Sequence, residues 1–220
     1  MTVKELQHLF ELHADGSNAE KMAAYMKNHF IFFGIPKTVR VEISKPFLLA
    51  HFKKDWPVLL PILKDLWEKP EREFHYTAME LMRKSKCWKH KESIRFFEKC
   101  ILSHTWWDSV DAIAAHMVGG YFSCYPEQRN QYIEKWMQSD SFWLQRTCLL
   151  FQLNYKERTD SGLLFACIVP LLHSKEFFIQ KAIGWALRQY ARINPDVVLA
   201  FVDSHPLKPL SRREALKHFS

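Results

Sequence analysis

Glycine is scarce in this chain, with 6 among 220 residues. This shortage disfavours a turn-rich all-β fold and a glycine-rich nucleotide-binding loop. No apolar stretch approaches the roughly 18 residues that a membrane span needs. The N-terminal segment MTVKELQHLFELHADGS carries acidic residues and lacks the apolar core of a signal peptide. We therefore expect a cytoplasmic protein without a membrane anchor.

Motifs for disulfides and metal sites are also lacking. The cysteines form no CxxC pair, and the histidines form neither an HExxH nor an HxH motif. We expect reduced thiols in a reducing compartment, and neither a metal nor another cofactor. The five cysteines are Cys87, Cys100, Cys124, Cys148 and Cys167.

Helical periodicity runs along the whole sequence, and no segment shows sustained alternation of apolar and polar residues. Connections are short and polar, with Asn18 as a candidate cap and Gly34-Ile35-Pro36 as a helix break. The sequence therefore predicts an all-α fold. The expected helices cover residues 3–14, 19–30, 38–52, 56–68, 72–85, 91–103, 105–122, 126–138, 141–155, 159–172, 176–193, 195–204 and 211–219.

Four of these segments align on an aromatic residue at spacings of 33, 36 and 35 residues, namely Phe74, Trp107, Trp143 and Phe178. Helix pairs that repeat at this period form an α-solenoid superhelix of HEAT-like hairpins. We expect one such domain over residues 1–220, with N-terminal helices in 1–70 and the clearest repeats in 71–220. Its concave face would suit a duplex, and a peptide would fit as well.

Two residues depart from the aligned repeats. Asp111 stands four positions after Trp107, where the other segments carry a small residue, and Trp185 stands where the others carry Leu or Ala. Together with Arg146, these residues could form a carboxylate flanked by two indoles. The alternatives are that the tryptophans belong to the core and that Asp111 caps a helix or interacts with its dipole. Asp108 suits the capping role better than Asp111.

The chain has a net charge of +7 and a pI near 9.1. Residues 83–99 contain seven basic and two acidic residues, a local charge of +5. This balance points to a polyanionic partner, most simply nucleic acid. The alternative is a solvated helix face that only aids solubility.

Several longer segments resemble the bacterial DNA alkylation repair family of AlkD type, whose members are HEAT-like-repeat DNA glycosylases. The most specific are TWWDSVDAIAAHMVGGYF (105–122) and EFFIQKAIGWALRQYA (176–191). SDSFWLQRTCLLFQLNYK (139–156), PLSRREALKHF (209–219), AEKMAAYMKNHFIFFGI (19–35) and PEREFHYTAMELM (70–82) are similar to the same family. The resemblance thus covers nearly the whole chain.

The resemblance implies excision of cationic N3- and N7-alkylpurines from duplex DNA by a monofunctional glycosylase that needs no cofactor. It assigns catalysis to Asp111, Trp107 and Trp185, and DNA contacts to Arg146, Tyr25, Arg188 and Lys156. It also implies that the lesion stays stacked in the duplex. The expected protein is a bacterial monomer that associates with the nucleoid when it binds DNA.

These residue types suit that chemistry. An alkylated cationic purine is already a good leaving group, so the reaction needs no general acid. A carboxylate near C1′ stabilises the positive charge that develops on the sugar and can orient the attacking water. Indole faces can contact a cationic sugar or base.

The sequence also departs from the family pattern. Asn154 stands where a basic residue is expected, and Pro36 stands where a polar residue near DNA is expected. Loss of one phosphate-contacting lysine would weaken DNA binding without abolishing the chemistry. The alternative function is a non-catalytic HEAT-like scaffold, a silent paralogue of the enzymes, that binds DNA, a branched DNA structure or an acidic protein. A metal-dependent nuclease is disfavoured because no cluster of carboxylates or histidines is present.

Overall fold

A computed structural model describes residues 1–219, which divide into two compact units. The first unit runs from Met1 to His90 and the second from Lys91 towards the C-terminus. Apart from one isolated bridge between Ile31 and Glu71, the described residues form no β-structure. The prediction of an all-α fold is confirmed. The single repeat domain expected over residues 1–220 stays a prediction.

The first unit contains five helices. They are α1 (Val3–Leu12), α2 (Gly16–Tyr25), α3 (Lys37–His51), α4 (Trp56–Glu68) and α5 (Arg72–Ser85), followed by a 3₁₀ turn at Cys87–Lys89. Phe10 and Phe74 pack in the core with their ring centroids 5.2 Å apart. The buried Glu73 carboxylate accepts hydrogen bonds from the backbone N–H groups of residues 33–35, which fixes the turn before α3.

Two expectations about α2 are wrong. Its cap is Asp15, whose side chain accepts a hydrogen bond from the Asn18 N–H, whereas the Asn18 amide donates to the Gly34 carbonyl. The helix ends at Tyr25 instead of continuing to residue 30, because Lys27 and Asn28 adopt left-handed φ angles of 56° and 58°.

The second unit contains nine helices among its described residues. They are α6 (Ser93–Leu102), α7 (Trp107–Ala112), α8 (Gly119–Cys124), α9 (Pro126–Met137), α10 (Phe142–Leu150), α11 (Ser161–Ile168), α12 (Phe177–Ala191), α13 (Pro195–Ser204) and α14 (Pro209–Ala215). Helices α10 and α12 pack against each other, and α12 packs in turn against α14. Successive helices thus stack in chain order, as helical-hairpin repeats do.

Helices α7 and α8 are the two ends of one helix over residues 107–124, whose middle part, Ile113–Val118, is π-helical. Close contacts hold its second half: the Tyr155 hydroxyl donates to the Gly119 carbonyl over 2.7 Å, and a Cβ on Gly119 would lie 2.4 Å from the Phe151 carbonyl oxygen. Wider π turns of this kind occur often beside functional sites. Here the π segment begins at Ile113, two residues after Asp111.

The helix predicted over 141–155 is too long, since α10 ends at Leu150. Beyond it, the Gln152 side chain accepts a hydrogen bond from the Asp160 N–H and donates to the Asp160 carbonyl. These bonds close a loop over residues 152–160, which also contains a 3₁₀ turn at Lys156–Arg158. The side-chain bonds replace the helical ladder that the apolar pattern predicts.

The aromatic alignment of the repeats uses Trp107 in α7, but a different tryptophan makes the ring contacts with the later repeats. Trp106, and not Trp107, packs with the two later aromatic residues, at ring distances of 6.0 Å to Trp143 and 5.3 Å to Phe178. Trp106 precedes the first helical residue of α7. Trp107 is the first helical residue of α7.

Candidate functional site

A pocket of about 260 Å³ opens on the second unit, and four helices supply its walls. Helices α7, α10, α12 and α14 contribute Trp107, Asp111, Arg146, Phe177, Phe178, Lys181, Trp185, Arg188 and Glu214. The pocket brings together five of the seven site residues that the sequence analysis named. Aromatic rings and charged groups therefore line one cavity.

A two-point ion pair between Asp111 and Arg146 forms the centre of this pocket. The Arg146 Nε donates to Asp111 Oδ1 over 2.7 Å, and its Nη2 donates to Asp111 Oδ2 over 2.8 Å. The Arg146 Nη1 donates to the Phe178 carbonyl. The side chains are 14% exposed for Asp111 and 5% for Arg146. The guanidinium thus fixes the orientation of a carboxylate that still reaches the pocket.

The environment of Asp111 acts on its protonation in two directions. Burial raises the pKa of Asp111 above its usual range, and the negative charge of Asp108 adds to the rise. The hydrogen bonds and the charge of Arg146 oppose this increase in the Asp111 pKa. Ionisation of Asp111 is therefore linked to Arg146.

The predicted role of Arg146 as a phosphate contact stays a prediction. In the structure its guanidinium is buried, and its recorded hydrogen bonds go to Asp111 and to the Phe178 carbonyl. Its carbon CZ also lies 5.8 Å from the centre of the Phe178 ring. These contacts make Arg146 first of all a residue that positions Asp111.

Aromatic residues frame the carboxylate. Trp107 and Trp185 line the pocket from α7 and α12, and both are partly exposed. Phe177, at the start of α12, is 55% exposed beside them. Exposed aromatic side chains in one cavity provide faces on which a cationic or planar group can rest.

The helix starts give a more regular repeat than the aromatic alignment did. The caps of α7, α10 and α12 are Trp106, Ser141 and Glu176, at two equal spacings of 35 residues. In this register Asp111, Arg146 and Lys181 occupy the fifth position of their helices, again 35 residues apart (146 − 111 and 181 − 146). The period could therefore have identified Lys181, which the sequence analysis missed.

Glu214 was also missed. It lies on α14 and forms ion pairs of 2.9 Å with both Lys181 and Arg188. The hydrogen bond from Lys181 lowers the pKa of Glu214; burial opposes this, and the charges of Lys181 and Arg188 lower it further. In the sequence Glu214 is the only acid in the basic segment SRREALKHF, and no motif marks it.

The remaining predicted residues lie elsewhere. Lys156 is exposed on the 3₁₀ turn and does not line the pocket. Tyr25 is 70% exposed at the end of α2, in the first unit. Their roles in DNA binding stay predictions. Asn154 donates to the Ala115 carbonyl in the π-helical segment, and Pro36 is the exposed residue before α3.

The basic segment 83–99 is exposed throughout its cationic positions. Its seven basic residues are Arg83, Lys84, Lys86, Lys89, Lys91, Arg95 and Lys99, all at the surface. The first four lie in the first unit and the other three in the second. Each unit therefore presents part of the positive charge to solvent.

Residues 1–219 contain no group of three or more His, Cys, Asp or Glu side chains placed to hold a metal ion. None of the helices in the same range is both long and apolar enough for a transmembrane segment.

Comparisons with known proteins identify the family. The profile described as "DNA alkylation repair enzyme" matches residues 6–219. A solved structure described as a predicted DNA alkylation repair enzyme from Enterococcus faecalis is 33% identical, covers 94% of this chain and 97% of its own, and superposes with a TM-score of 0.88. The comparison with curated proteins gives no match.

A second solved structure supports the fold alone. The smu.31 protein from Streptococcus mutans UA159 is 16% identical, with a TM-score of 0.61, and the match covers 82% of this chain and 98% of that one. The profile match and the match to the Enterococcus relative each extend over almost the whole chain. The chain belongs to the DNA alkylation repair enzyme family.

Proposed function

We propose that this protein is a monofunctional DNA glycosylase that hydrolyses the N-glycosidic bond of cationic N3- or N7-alkylated purines in duplex DNA. Membership of the DNA alkylation repair enzyme family supports a role in DNA repair. The observation that carries the finer proposal is the Asp111 carboxylate, held at two points by Arg146 within an aromatic pocket.

In the proposed reaction, Asp111 stabilises the transition state. Departure of the cationic base leaves positive charge on the sugar, and an oriented carboxylate attracts this charge more strongly than it attracts the ground state. Because Asp111 is mostly buried, its field is screened less than that of an exposed acid. The carboxylate also orients the water that attacks C1′.

The other residues of the pocket bind and position the damaged nucleotide. The indoles of Trp107 and Trp185 provide faces for a cationic sugar or base, each contact contributing about 0.5–2 kcal/mol. Arg146 keeps both Asp111 oxygens in place. The base leaves without protonation, because alkylation already gives it a positive charge.

The decisive experiment is single-turnover release of base from a duplex that contains one N7-methylguanine. We expect release by the wild type and a loss of about 10²–10³-fold in Asp111→Asn, the range found when one preorganised electrostatic group is removed. Asp108→Asn is the matched control, since Asp108 lies on the same helix but does not line the pocket.

Three outcomes decide between the functions. Release by the wild type and Asp108→Asn, but not by Asp111→Asn, supports the glycosylase. Equal release by all three proteins refutes the role of Asp111. No release by any of them, with duplex binding intact, favours the non-catalytic DNA-binding scaffold. Thermal unfolding of each variant shows whether it is folded at the assay temperature.

A further inference from the structure

Three charged residues form a cluster at one side of the pocket, the Glu214 triad: Glu214 with Lys181 and Arg188. Glu214 Oε1 lies 2.9 Å from the Lys181 Nζ, and Glu214 Oε2 lies 2.9 Å from the Arg188 Nη1. The Glu214 side chain is 12% exposed, whereas Lys181 and Arg188 are 37% and 22% exposed. The carboxylate is thus the inner member and the cations are the outer members.

The carboxylate joins two cations that the helix alone would hold apart. Lys181 and Arg188 are seven residues apart on α12, which separates them by about 10.5 Å along the helix axis. Each Glu214 oxygen binds one of them, so the two side chains converge on the turn that carries Trp185. Without the acid, like charges would repel each other and the long side chains would gain rotational freedom.

The backbone brings Glu214 to this place through a close approach of α12 and α14. A Cβ on Gly184 would lie 2.4 Å from the Glu214 Cβ and 2.8 Å from the Ser211 carbonyl oxygen. The Ser211 hydroxyl donates to the Gln180 carbonyl over 2.9 Å. Helix α14 therefore rests directly on α12, and the position of Glu214 is fixed by the backbone.

The two cations retain donors for a further anion. An ammonium has three N–H donors and a guanidinium has five, and each group uses one on Glu214. No other protein partner is recorded for either group among residues 1–219. The triad has a net charge of +1 and borders the cavity that contains Asp111. These are the properties of an anion site held ready by an inner acid.

The resemblance to the family already implies a DNA contact for Arg188. We propose that Lys181 shares this contact, so that both cations bind one backbone phosphate of the duplex beside the damaged nucleotide, and that Glu214 is the positioning residue that holds them for it. This assignment rests on the proposed function. A free phosphate has the same chemistry as a phosphodiester, so the test includes both. The duplex is the occupant to which we commit, because the triad and Asp111 border one cavity.

The first arm measures binding of undamaged duplex, since phosphate contacts do not depend on the lesion. Lys181→Gln should bind about tenfold more weakly, the effect of one charge-assisted hydrogen bond. The slope of log K against log salt should fall by about 0.9. Lys135→Gln is the matched control, because Lys135 pairs with Glu98 and does not line the pocket. An unchanged slope in Lys181→Gln would overturn the assignment.

The second arm tests Glu214, for which charge and positioning have opposite consequences. Glu214→Gln makes the protein more positive, so charge alone should tighten DNA binding. Positioning requires binding about fivefold weaker, the equivalent of one net hydrogen bond. Asp203→Asn is the control for the added charge, since Asp203 forms an exposed ion pair with Arg212. Equal or tighter binding by Glu214→Gln would refute its role.

A double variant separates positioning from a general structural effect. In the Glu214→Gln background, Lys181→Gln should cost clearly less than its tenfold effect in the wild type, because the lysine is no longer held in place. Strictly additive effects, with normal thermal unfolding of each protein, would mean that Glu214 does not act through Lys181.

The third arm uses inorganic phosphate, measured by calorimetry with the wild type and Lys181→Gln. Lys181-dependent binding of inorganic phosphate combined with an unchanged duplex salt slope would reject the duplex as the ligand. The base-release assay is independent of these arms. If the wild type releases base but Lys181→Gln keeps the salt slope of the wild type, the phosphate site is refuted and the glycosylase proposal stands. If the wild type releases no base but the salt slope changes in Lys181→Gln, the glycosylase proposal is refuted and the phosphate site stands.

Discussion

The ion pair between Asp111 and Arg146 should control the stability of the protein as well as the charge of its carboxylate. Arg146→Met keeps most of the side-chain volume but removes the donors to both Asp111 oxygens and to the Phe178 carbonyl. Removing one partner of a buried pair costs about 3–5 kcal/mol, because the other charge stays buried. Since 14% of the Asp111 side chain is exposed, water relieves part of this cost. We expect a loss of about 3 kcal/mol.

Thermal unfolding measures this loss directly. For a chain of this length, about 3 kcal/mol corresponds to a decrease in Tm of about 6–12 °C. The control is Arg212→Met, since Arg212 also donates to one carboxylate, of Asp203, and one carbonyl, of Val202, but at an exposed site. Exposed pairs contribute about 0–1 kcal/mol, so the control should barely change the Tm. Equal shifts for Arg146→Met and Arg212→Met would refute the reasoning.

A double-mutant cycle isolates the pair itself. With Asp111→Asn in place, Arg146 has already lost its ionic partner, so adding Arg146→Met should cost far less than it does in the wild type. The two changes in unfolding free energy should therefore differ from additivity by well over the scatter of about 0.3–0.5 kcal/mol seen for independent sites. Additive losses would show that Arg146 stabilises the fold without acting through Asp111.

Four further measurements test other parts of the structure. Gly184→Ala should lower the free energy of unfolding by about 1–3 kcal/mol and weaken duplex binding, because the new Cβ would collide with α14. Gly162→Ala is the control and should change little, because a Cβ there lies at an ordinary van der Waals distance from its neighbours. The rate of single-turnover base release should rise as pH increases through the Asp111 pKa, because only the ionised carboxylate stabilises the sugar cation. Burial raises this pKa above the usual aspartate range, so a rate that stays constant down to the usual aspartate pKa would contradict the prediction. The stability difference between the wild type and Glu214→Gln should be constant at neutral pH, decline below the ordinary glutamate pKa of about 4.3, and be lost as pH falls through the Glu214 pKa, which Lys181 lowers. A difference that persists in stronger acid would refute this linkage. EDTA should leave base release unchanged, because a cationic purine departs without assistance from a Lewis acid; sensitivity to EDTA would contradict the proposed chemistry.

Periodicity was sufficient to predict most of the fold. The predicted helices over 56–68, 72–85 and 195–204 agree with the observed bounds, because apolar spacing and flanking breakers act within a few residues of one another. Two errors lie where a side chain binds backbone outside its own helical turn. The Asn18 amide, expected to cap α2, donates to the Gly34 carbonyl beside a turn held by Glu73, and the Gln152 side chain closes a loop with Asp160. Such bonds join segments that a local pattern does not relate.

Part of the pocket was also predictable from the periodicity of the sequence. Asp111 and Trp185 stand out because each breaks a repeated pattern, so the repeat itself marks them. The direct pairing of Asp111 with Arg146 required knowledge of the register, which differs by one residue from the aromatic alignment. Glu214 could be placed in the pocket only from the packing of α14 on α12, because its partners Lys181 and Arg188 lie 33 and 26 positions away in the sequence.

On the proposed function, the charges of the pocket also explain how a protein that binds DNA can present carboxylates to it. Asp111 and Glu214 contribute two negative charges, and Arg146, Lys181 and Arg188 contribute three positive ones, which leaves a net charge of +1. At separations larger than the spacing of these groups, a duplex experiences mainly their net positive charge and the basic surface, an attraction that salt screens over a Debye length of about 8 Å. At hydrogen-bond distance the individual groups act separately, so a phosphate meets the cations of α12 while a sugar beside Asp111 meets an anion. On the proposed function, each acid is tolerated because its partners offset its repulsion of DNA at long range, and Asp111 keeps its attraction for positive charge at short range, where the glycosidic bond breaks.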